Sequence, residues 1–532
     1  MNFNVVYFLF LLLSFVACEP NKSNRQYKIF RYNQSNVIQS LDPAFAKSIN
    51  HVWAIDHIFN QLIDLGDSMR FEPELATAWE VSEDGLHYKF SLRQDVFFQR
   101  DSCFGSLMTR KLTAWDVKYS FERLINPETK APGSWVFDSK VDSIGGFEVK
   151  DDSTFYIHLK QAFSPLLGLL TMQYCSVIPH EAVEFYGNSF YKHPVGTGAF
   201  RLRKWLGRQG LFLEKNEHYF KKELPKLDGI RISFIEDKNV AYLEFLKKKI
   251  DFFSGLQSSY SSQMLTKEGA MREDRKNEFQ LISQNYLNTE YIGINVASLH
   301  ENHCLRKLKV RQALNYAIDR KKLLTTLRNS VGTEAICGFA ARGLPVCDTA
   351  IVKGYSYQPI LAKRLLNEAG YFSGKLDQKI VVHTNKEYAD VIQFVTRQWQ
   401  ELGVDVKIEL QETSSLREQM KQGKLPLFRA SWVADYPSEE NFFTVFYSKN
   451  PAPPNYTRFS HPEYDRLYEE LIRETDQKLG LQIAQKMENI IISESPVIFL
   501  FYDQSAWFSS KRILNIASNP INLLKLEKVD IK

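Results

Sequence analysis

Residues 380–410 read IVVHTNKEYADVIQFVTRQWQELGVDVKIEL and contain two strand patterns on either side of a helical one. Residues 380–384 and 404–410 are short runs rich in β-branched and apolar side chains, as strands are. Between them, apolar residues recur at helical spacing from 389 to 402. A strand, a helix and a second strand in this order form a βαβ unit. The second half of the chain is therefore predicted to contain an α/β sheet.

The rest of the chain shows the same mixture of strand and helix patterns. Residues 79–81 and 86–92 flank the turn Ser82-Glu83-Asp84-Gly85 and predict a hairpin. Residues 113–124 predict an amphipathic helix with Thr113 as its cap and Asp116 at the capping-box position. Apolar spacing predicts further helices at 51–64, 240–248, 310–320 and 360–369. Further strands are predicted at 200–205, 230–234 and 291–295.

The turn Gly196-Thr197-Gly198 precedes the predicted strand at 200–205. Paired glycines also occur in loops that cradle phosphate groups, but those loops continue as GxGxxG or GK[ST] and open a helix. Neither continuation is present here, and a strand follows instead of a helix. The glycines therefore predict a tight turn rather than a phosphate site.

The composition is that of a globular chain. Of its 532 residues, 44% are hydrophobic and 13% aromatic. Such a length is enough for two or three domains. The 38 Phe and 25 Tyr exceed what a small core requires, which favours a large internal cavity lined partly by aromatic rings. The net charge is only +5 with both signs mixed, so no basic tail or stripe indicates a nucleic-acid partner.

The N-terminus predicts an exported protein. Residues 1–17 read as a signal peptide, because the apolar run is only about half as long as a membrane-spanning helix. The run ends Phe15-Val16-Ala17-Cys18, which resembles a bacterial lipobox, so Cys18 is predicted to be lipidated and 18–27 to be a polar tether. No Lys or Arg precedes the run, and Phe15 stands where Leu is usual. Cleavage to a free secreted protein is therefore the alternative.

Five further cysteines follow Cys18. Cys337 and Cys347 flank a loop that contains Gly and Pro, and in an exported protein they are candidates for a disulfide. The sequence assigns no partner to the other three, Cys103, Cys175 and Cys304.

Residues 429–436, Arg-Ala-Ser-Trp-Val-Ala-Asp-Tyr, combine the groups that a zwitterion needs. Arg429 offers a guanidinium for a carboxylate and Asp435 a carboxylate for an ammonium, with the aromatic Trp432 between them. A peptide or amino acid presents that pair of charges. By itself the pattern is also compatible with a salt-bridged loop.

Read together, these segments resemble the large solute-binding proteins of bacterial ABC importers, the group that binds oligopeptides, dipeptides and nickel. The similarity covers nearly all of the chain after its N-terminal segment. Its specificity comes from the joint order and spacing of the matching segments, which are 73–76, 79–85, 113–117, 196–200, 310–320, 362–370, 432–436 and 495–499.

The resemblance implies an α/β fold of the periplasmic-binding-protein type, in the large three-domain variant with mixed sheets. Two lobes joined by a hinge would close around the ligand. Domain I would comprise 28–60, 191–283 and 507–532, domain II would be inserted at 61–190, and domain III would span 284–506.

The resemblance also implies roles for site residues. In peptide-binding members, the Asp of Trp-x-Ala-Asp receives the ligand's ammonium, which is Asp435 here. The Arg three residues before the Trp approaches the ligand carboxylate, which is Arg429. Trp432 would form a wall and Tyr436 an apolar neighbour. The alternatives are a hinge salt bridge for Asp435, a pair within the protein for Arg429 and a core position for Trp432.

The implied function is binding rather than catalysis. The chain would capture short peptides outside the cytoplasm as a monomer, anchored to a membrane, and deliver them to a permease driven by separate ATPase subunits, without a cofactor. No GxSxG, HExxH or CxxC motif indicates an enzyme. Residues 411–415 are small and polar where some oligopeptide binders carry a Trp, so ligand length stays open.

The main alternative is another ligand on the same fold. His300 and His303 could ligate a metal, although the surrounding residues predict a loop in which both are solvated. A nickel or metal-chelate binder is therefore the second interpretation. A peptide-sensing receptor with the same cleft is the third.

Overall fold

The structure is a computed structural model, and it describes residues 27–66, 69–256 and 258–532. The predicted signal peptide, the lipidation candidate Cys18 and all of the predicted tether except its last residue lie outside the described residues. Within the described part of the chain, no helix is both long enough and apolar enough to cross a bilayer.

The described chain forms nineteen strands and fourteen α-helices. The strands are β1 (Ile29–Gln34), β2 (Ile63–Leu65), β3 (Phe71–Pro73), β4 (Ala76–Val81), β5 (His87–Leu92), β6 (Phe147–Asp151), β7 (Thr154–His158), β8 (Phe200–Trp205), β9 (Gly210–Lys215), β10 (Gly229–Phe234), β11 (Phe252–Ser254), β12 (Phe279–Ile294), β13 (Thr333–Glu334), β14 (Ile380–Thr384), β15 (Val406–Leu410), β16 (Leu427–Val433), β17 (Val497–Ser510), β18 (Ile513–Leu514) and β19 (Asp530–Ile531). The helices are α1 (Ile49–Asp56), α2 (Ala114–Ile125), α3 (Leu166–Leu170), α4 (His180–Tyr186), α5 (Lys238–Leu246), α6 (Ser258–Met264), α7 (Leu308–Tyr316), α8 (Arg320–Leu327), α9 (Pro359–Glu368), α10 (Ala389–Glu401), α11 (Thr413–Lys421), α12 (Glu439–Phe443), α13 (Pro462–Leu471) and α14 (Gln477–Glu494).

The largest sheet has eleven strands and unites distant parts of the sequence. Its order is β15-β14-β16-β12-β17-β11-β1-β10-β9-β8, and β13 pairs with β17 beside this path. β14 and β15 pair in parallel around α10, which confirms the predicted βαβ unit. β12 and β17 pair antiparallel, so the sheet is mixed, as the resemblance implied.

β12 and β17 connect two separate bodies of core. One hydrophobic cluster is built mostly from residues before 253 and from the C-terminal segment after 506. Two others are built from residues between 287 and 502. β12 has 16 residues and β17 has 14, long enough to take part in both bodies. The predicted domain boundaries stay a prediction.

A smaller sheet, ordered β4-β5-β7-β6, lies in the first half of the chain. Its first two strands are the predicted hairpin. α2 begins where the sequence predicts, and the Thr113 backbone N–H donates to the Asp116 carboxylate over 2.9 Å. This is the capping-box contact that the Thr and Asp spacing predicts.

The predicted helix at 51–64 is wrong in its second half, because α1 ends at Asp56. Beyond it, the carbonyls of His57 and Ile58 accept hydrogen bonds from Phe200 and Gly198 over 2.9 and 2.8 Å. Ile58, Phe59 and Leu62 are buried without lying on one helical face, and their even apolar spacing mimics one. A Cβ on Gly198 would lie 2.4 Å from the Ile58 backbone, so close packing requires glycine there.

A second predicted helix is also interrupted. The helix predicted at 310–320 breaks after Tyr316, and a new helix starts at Arg320 with the Asp319 carboxylate accepting from the Lys322 N–H.

Cys337 and Cys347 form the expected disulfide. Among the cysteines that the structure describes, Cys103, Cys175 and Cys304 are free thiols.

Candidate ligand-binding site

The segment predicted to bind ligand starts on a strand and ends in a loop. Arg429 lies on β16, opposite Ile292 of β12. β16 ends at Val433, and the next residue, Ala434, donates its N–H to the Leu287 carbonyl over 2.8 Å. Asp435 therefore follows directly after the sheet edge, on a loop whose start is fixed to the hinge strand β12.

Asn441 holds this loop in place. Its side-chain oxygen accepts from the Trp432 indole N–H and from the Asp435 backbone N–H, each over 3.2 Å. Trp432 is half-buried, so one side of its ring stays available. One amide thus orients both the aromatic wall and the carboxylate that the sequence singled out.

The carboxylate of Asp435 is open to water but closely surrounded by protein. Its side chain is exposed, yet desolvation raises its pKa to about 6, opposed by Asn441 and reinforced by the charge of Glu440. A side chain that is exposed and yet partly desolvated is expected on the floor of a narrow cleft. Within the described residues, no Lys, Arg or His lies within ion-pair distance of Asp435. The hinge salt bridge left open above is therefore not formed in this part of the chain.

Two tyrosines lie close to this carboxylate. Burial raises the pKa of Tyr174 to about 12, and the Asp435 charge contributes to the rise. Burial likewise raises the pKa of Tyr286, with Asp435 among the acids that add to it. Both rings are only partly buried. Tyr174 comes from the first half of the chain and Tyr286 from β12, so Asp435 faces a space bordered by both lobes.

Arg429 is already paired within the protein. Its guanidinium donates to the Glu290 carboxylate, and its central carbon lies 3.0 Å from the centre of the Tyr388 ring. The Arg429 and Glu290 side chains are 9% and 2% exposed. Burial raises the pKa of Glu290 in spite of the adjacent guanidinium. The Nε atom of Arg429 is buried and has no hydrogen-bond partner among the described residues.

Tyr436, expected as an apolar neighbour of the ligand, is buried in contact with the first half of the chain. It is only 3% exposed and belongs to the hydrophobic cluster formed mostly by the first half of the chain. Its hydroxyl donates to the buried Glu440, and a Cβ on Gly168 of α3 would lie 2.8 Å from its ring. Near the same boundary, the Ser164 N–H donates to the Ile472 carbonyl over 2.8 Å.

A cleft of about 800 Å³ opens between the two halves of the chain. Its walls include Tyr388, whose ring stacks on Arg429, and the Lys238–Glu387 ion pair at 2.5 Å joins its two sides. The four predicted residues do not line it. The lining residues are 236–239, Leu256, 327–328, 385–391, Gln393 and 411–413. The polar segment noted at 411–415 thus contributes to a wall.

A second groove, of about 980 Å³, is lined in part by residues that directly follow the segment. Pro437, Ser438 and Glu440 line it together with Tyr88 and Ser164 of the first half of the chain. Asp435 itself lines neither opening, but Pro437 and Ser438, which follow it closely in the chain, line the second.

Tyr174, Tyr286, Tyr388 and Glu290 were not predicted from the sequence. The three tyrosines carried no signal beyond the high aromatic content. Glu290 did carry one, because it is the only charged residue of the otherwise neutral run Asn288-Thr289-Glu290-Tyr291-Ile292. A lone acid in a buried strand requires a cationic partner.

The histidines considered as metal ligands are engaged by the protein. The Nδ1 atom of His303 accepts from the Leu305 N–H and its Nε2 lies 3.1 Å from the Lys379 carbonyl. His300 Nε2 lies 2.6 Å from an Asp377 oxygen. Both ring nitrogens of His303 are used, so this pair offers no ready metal site.

One cluster of acids and histidine elsewhere has metal-like spacing, formed by Asp116, His180 and Glu181. Arg110 occupies its centre, with 2.6 Å to an Asp116 oxygen and 2.5 Å to a Glu181 oxygen. The guanidinium already supplies the positive charge that a metal ion would bring.

The chain matches a family model and is similar to known binding proteins. The family model described as bacterial extracellular solute-binding proteins, family 5 (middle), matches residues 70–454. The chain is 28% identical over 463 residues to heme-binding protein A of Haemophilus influenzae, covering 83% of this chain and 81% of that protein. It is 25% identical over 506 residues to the glutathione-binding protein GsiB of Salmonella typhimurium, covering 93% and 92%.

Solved structures share the fold at lower identity. The periplasmic binding protein DppA of Helicobacter pylori, in complex with the peptide STSA, superposes with a TM-score of 0.79 at 22% identity, covering 94% of this chain and 98% of that one. HbpA2 of Haemophilus parasuis gives a TM-score of 0.80 at 23% identity, covering 95% and 100%. These matches confirm the α/β, periplasmic-binding-protein-like fold.

Proposed function

This chain belongs to the bacterial extracellular solute-binding proteins of family 5, the substrate-binding proteins of ABC importers, and we propose that its own substrates are short peptides. Asp435 receives the free ammonium of the peptide between the lobes, and the bound complex is handed to a membrane permease. The observation that carries the proposal is an accessible carboxylate with no cation beside it in the described chain, at the boundary of both lobes.

The electrostatics of this space favour a cationic end group. A carboxylate that is partly desolvated and unpaired gains a strong charge-assisted contact when an ammonium arrives. Tyr174, Tyr286 and Trp432 supply partly exposed aromatic surface beside it. Aromatic faces attract cations and pack against apolar groups alike, so they tolerate different peptide side chains.

Arg429 has a narrower role in this proposal than the resemblance implied. Glu290 already neutralises its guanidinium, and Tyr388 covers one face. A ligand carboxylate would have to share the guanidinium with Glu290, because the Nε atom of Arg429, which has no hydrogen-bond partner among the described residues, is itself buried. Recognition of the peptide's carboxyl end is therefore proposed to be weaker than recognition of its amino end.

Glutathione is a second candidate, and the match to glutathione-binding proteins over 93% of the chain favours it. Glutathione is a tripeptide with a free ammonium, so it suits Asp435 as well. A nickel or other metal chelate is the remaining alternative on the same fold. Anchoring through a lipidated Cys18 and action as a monomer are part of the proposal too.

Isothermal titration of the purified protein with a panel of ligands tests this function. The panel contains di- to pentapeptides, their N-acetylated forms, glutathione, heme and a nickel–histidine complex. We expect saturable binding of peptides with free termini and much weaker binding of the acetylated forms. Binding of heme or the nickel complex alone, with no response to any peptide or to glutathione, would exclude the proposal.

The anchor requires a separate measurement. Mass spectrometry of the N-terminal peptide from membrane-associated protein should show acyl chains on Cys18. An unmodified N-terminus at another residue would show ordinary secretion instead.

A further inference from the structure

Two histidines face each other on the outer side of the small sheet. His87 on β5 and His158 on β7 are register partners, and their Nδ1 atoms lie 2.9 Å apart. His87 is exposed and His158 half-buried, whereas the alternate residues Tyr88 and Ile157 point into the core. Nothing in the proposed peptide site uses this pair.

A third residue sets the state of His158. Its Nε2 atom lies 2.8 Å from a carboxylate oxygen of Glu148 on the adjacent strand β6. Since a carboxylate only accepts, Nε2 carries the proton and the neutral ring keeps its lone pair on Nδ1. That lone pair points toward His87, which supplies the hydrogen of the 2.9 Å contact.

We propose that His87 and His158 form a binding site for a divalent transition metal ion, with the two Nδ1 atoms as ligands and Glu148 as the group that orients His158. With metal–nitrogen bonds of about 2.0–2.1 Å, two ligands at a right angle stand about 2.9 Å apart. The observed 2.9 Å is the hydrogen-bond distance of the metal-free pair, and it is also the span of neighbouring ligands in the square-planar or octahedral coordination that Cu²⁺ and Ni²⁺ adopt, so a metal ion can replace the shared hydrogen with little movement of the rings.

The surroundings suit a cation. His87 moves its proton to the exposed Nε2 when the metal arrives, so a neutral pair binds without losing a proton to solvent. Asp84 lies near enough to His87 for the two to interact electrostatically, and Glu148 adds a second negative charge behind His158. A carboxylate behind a ligating imidazole is the usual outer partner of metal-bound histidine.

The test is titration of the purified, tag-free protein with Cu²⁺, followed by electron paramagnetic resonance. We expect one equivalent to bind, with hyperfine coupling to two imidazole nitrogens. His87→Gln and His158→Gln should each abolish this signal. Glu148→Gln should retain it but weaken binding by about 10- to 100-fold, the usual cost of losing such an outer partner. Ni²⁺ should bind the same site less tightly than Cu²⁺.

Two matched variants serve as controls. His218→Gln removes an exposed histidine from another loop, and His300→Gln removes the one paired with Asp377. Both should bind Cu²⁺ like the wild type, and circular dichroism should show that every variant is folded. Unchanged Cu²⁺ affinity in the His87→Gln/His158→Gln double variant would overturn the proposal. So would loss of the signal in His300→Gln. Peptide titrations are independent of either result.

Discussion

Among single residues, Asp435 and Arg429 lie six positions apart but are in opposite states. Asp435 has no cation beside it within the described chain, whereas Arg429 is neutralised by Glu290. The sequence could place both residues near one another, because the motif is local. It could not show the partner of Arg429, since Glu290 lies 139 positions away and meets it only through the pairing of β12 with β16.

The raised pKa of Asp435 predicts that peptide affinity depends on pH. Ammonium binding requires the carboxylate form, and the pKa of about 6 in the free protein makes that form scarce in acid. The dissociation constant should rise about tenfold between pH 7.5 and pH 5. Titrations at these two pH values with a peptide lacking titratable side chains check this, and a flat profile would contradict it.

The raised pKa of Asp435 also predicts that ionisation of this residue, which favours peptide binding, destabilises the ligand-free protein. Because the folded protein binds the Asp435 proton more tightly than the unfolded chain, the ionised residue lowers stability increasingly from about pH 4 to pH 6 and fully above it. Asp435→Asn should therefore raise the Tm of the ligand-free protein at pH 7.5 but not at pH 4. An equal change at both pH values would contradict the shift.

The buried pair of Arg429 and Glu290 predicts a strong and asymmetric response to mutation. Arg429→Met leaves a carboxylate buried without a partner, which should cost about 3–5 kcal/mol of stability. The double variant Arg429→Met/Glu290→Met removes both charges and should recover most of the loss. Urea denaturation of the three proteins measures this. A single variant as stable as the wild type would show that the pair does not form.

At the scale of helices and strands, the sequence correctly predicted those elements whose stabilising contacts lie close by in the chain. The βαβ unit, the hairpin and the capped helix α2 are all satisfied by neighbours within a short stretch of sequence. The helix predicted at 51–64 failed because its second half bonds to a turn some 140 positions away in the chain. Apolar spacing reports burial, and burial on all sides does not distinguish a helix from a packed loop.

The disulfide between Cys337 and Cys347 is predicted to stabilise the fold. A disulfide around a loop of this size stabilises a fold by about 2–4 kcal/mol. The Phe339 and Ala340 N–H groups inside the loop donate to the buried Glu488, so the loop is also held from within. Cys337→Ser/Cys347→Ser should lower the unfolding free energy by that amount while the fold persists. An unchanged value in urea denaturation would show that the disulfide contributes nothing.

For the whole molecule, the connecting role of β12 and β17 could not be predicted from the sequence. Each looks like an ordinary strand locally, but together they run through both bodies of core. The resemblance implied two lobes and a hinge, and the matching solved structures confirm the α/β, periplasmic-binding-protein-like fold. Which side chains meet across the cleft depended on three-dimensional contacts, as Tyr174 and Asp435 show.

Closure of the lobes predicts a sensitivity at Gly168. An added Cβ would lie 2.8 Å from the Tyr436 ring, so Gly168→Ala should hold the lobes apart and weaken peptide binding by about 1–3 kcal/mol. Gly480→Ala is the matched control, because its Cβ would meet its nearest neighbour at an ordinary 3.8 Å. Titration and small-angle scattering compare the two. Equal affinity and equal dimensions would show that this contact does not govern closure.

The most direct test of the account is a thermodynamic cycle on Asp435 and the peptide ammonium. Affinities are measured for the wild type and Asp435→Asn, each with a free tripeptide and with its N-acetylated form. The account predicts a coupling of about 2–5 kcal/mol, so the wild type prefers the free peptide strongly and the variant hardly at all. If Asp435→Asn discriminates between the two peptides as well as the wild type does, Asp435 does not bind the ammonium.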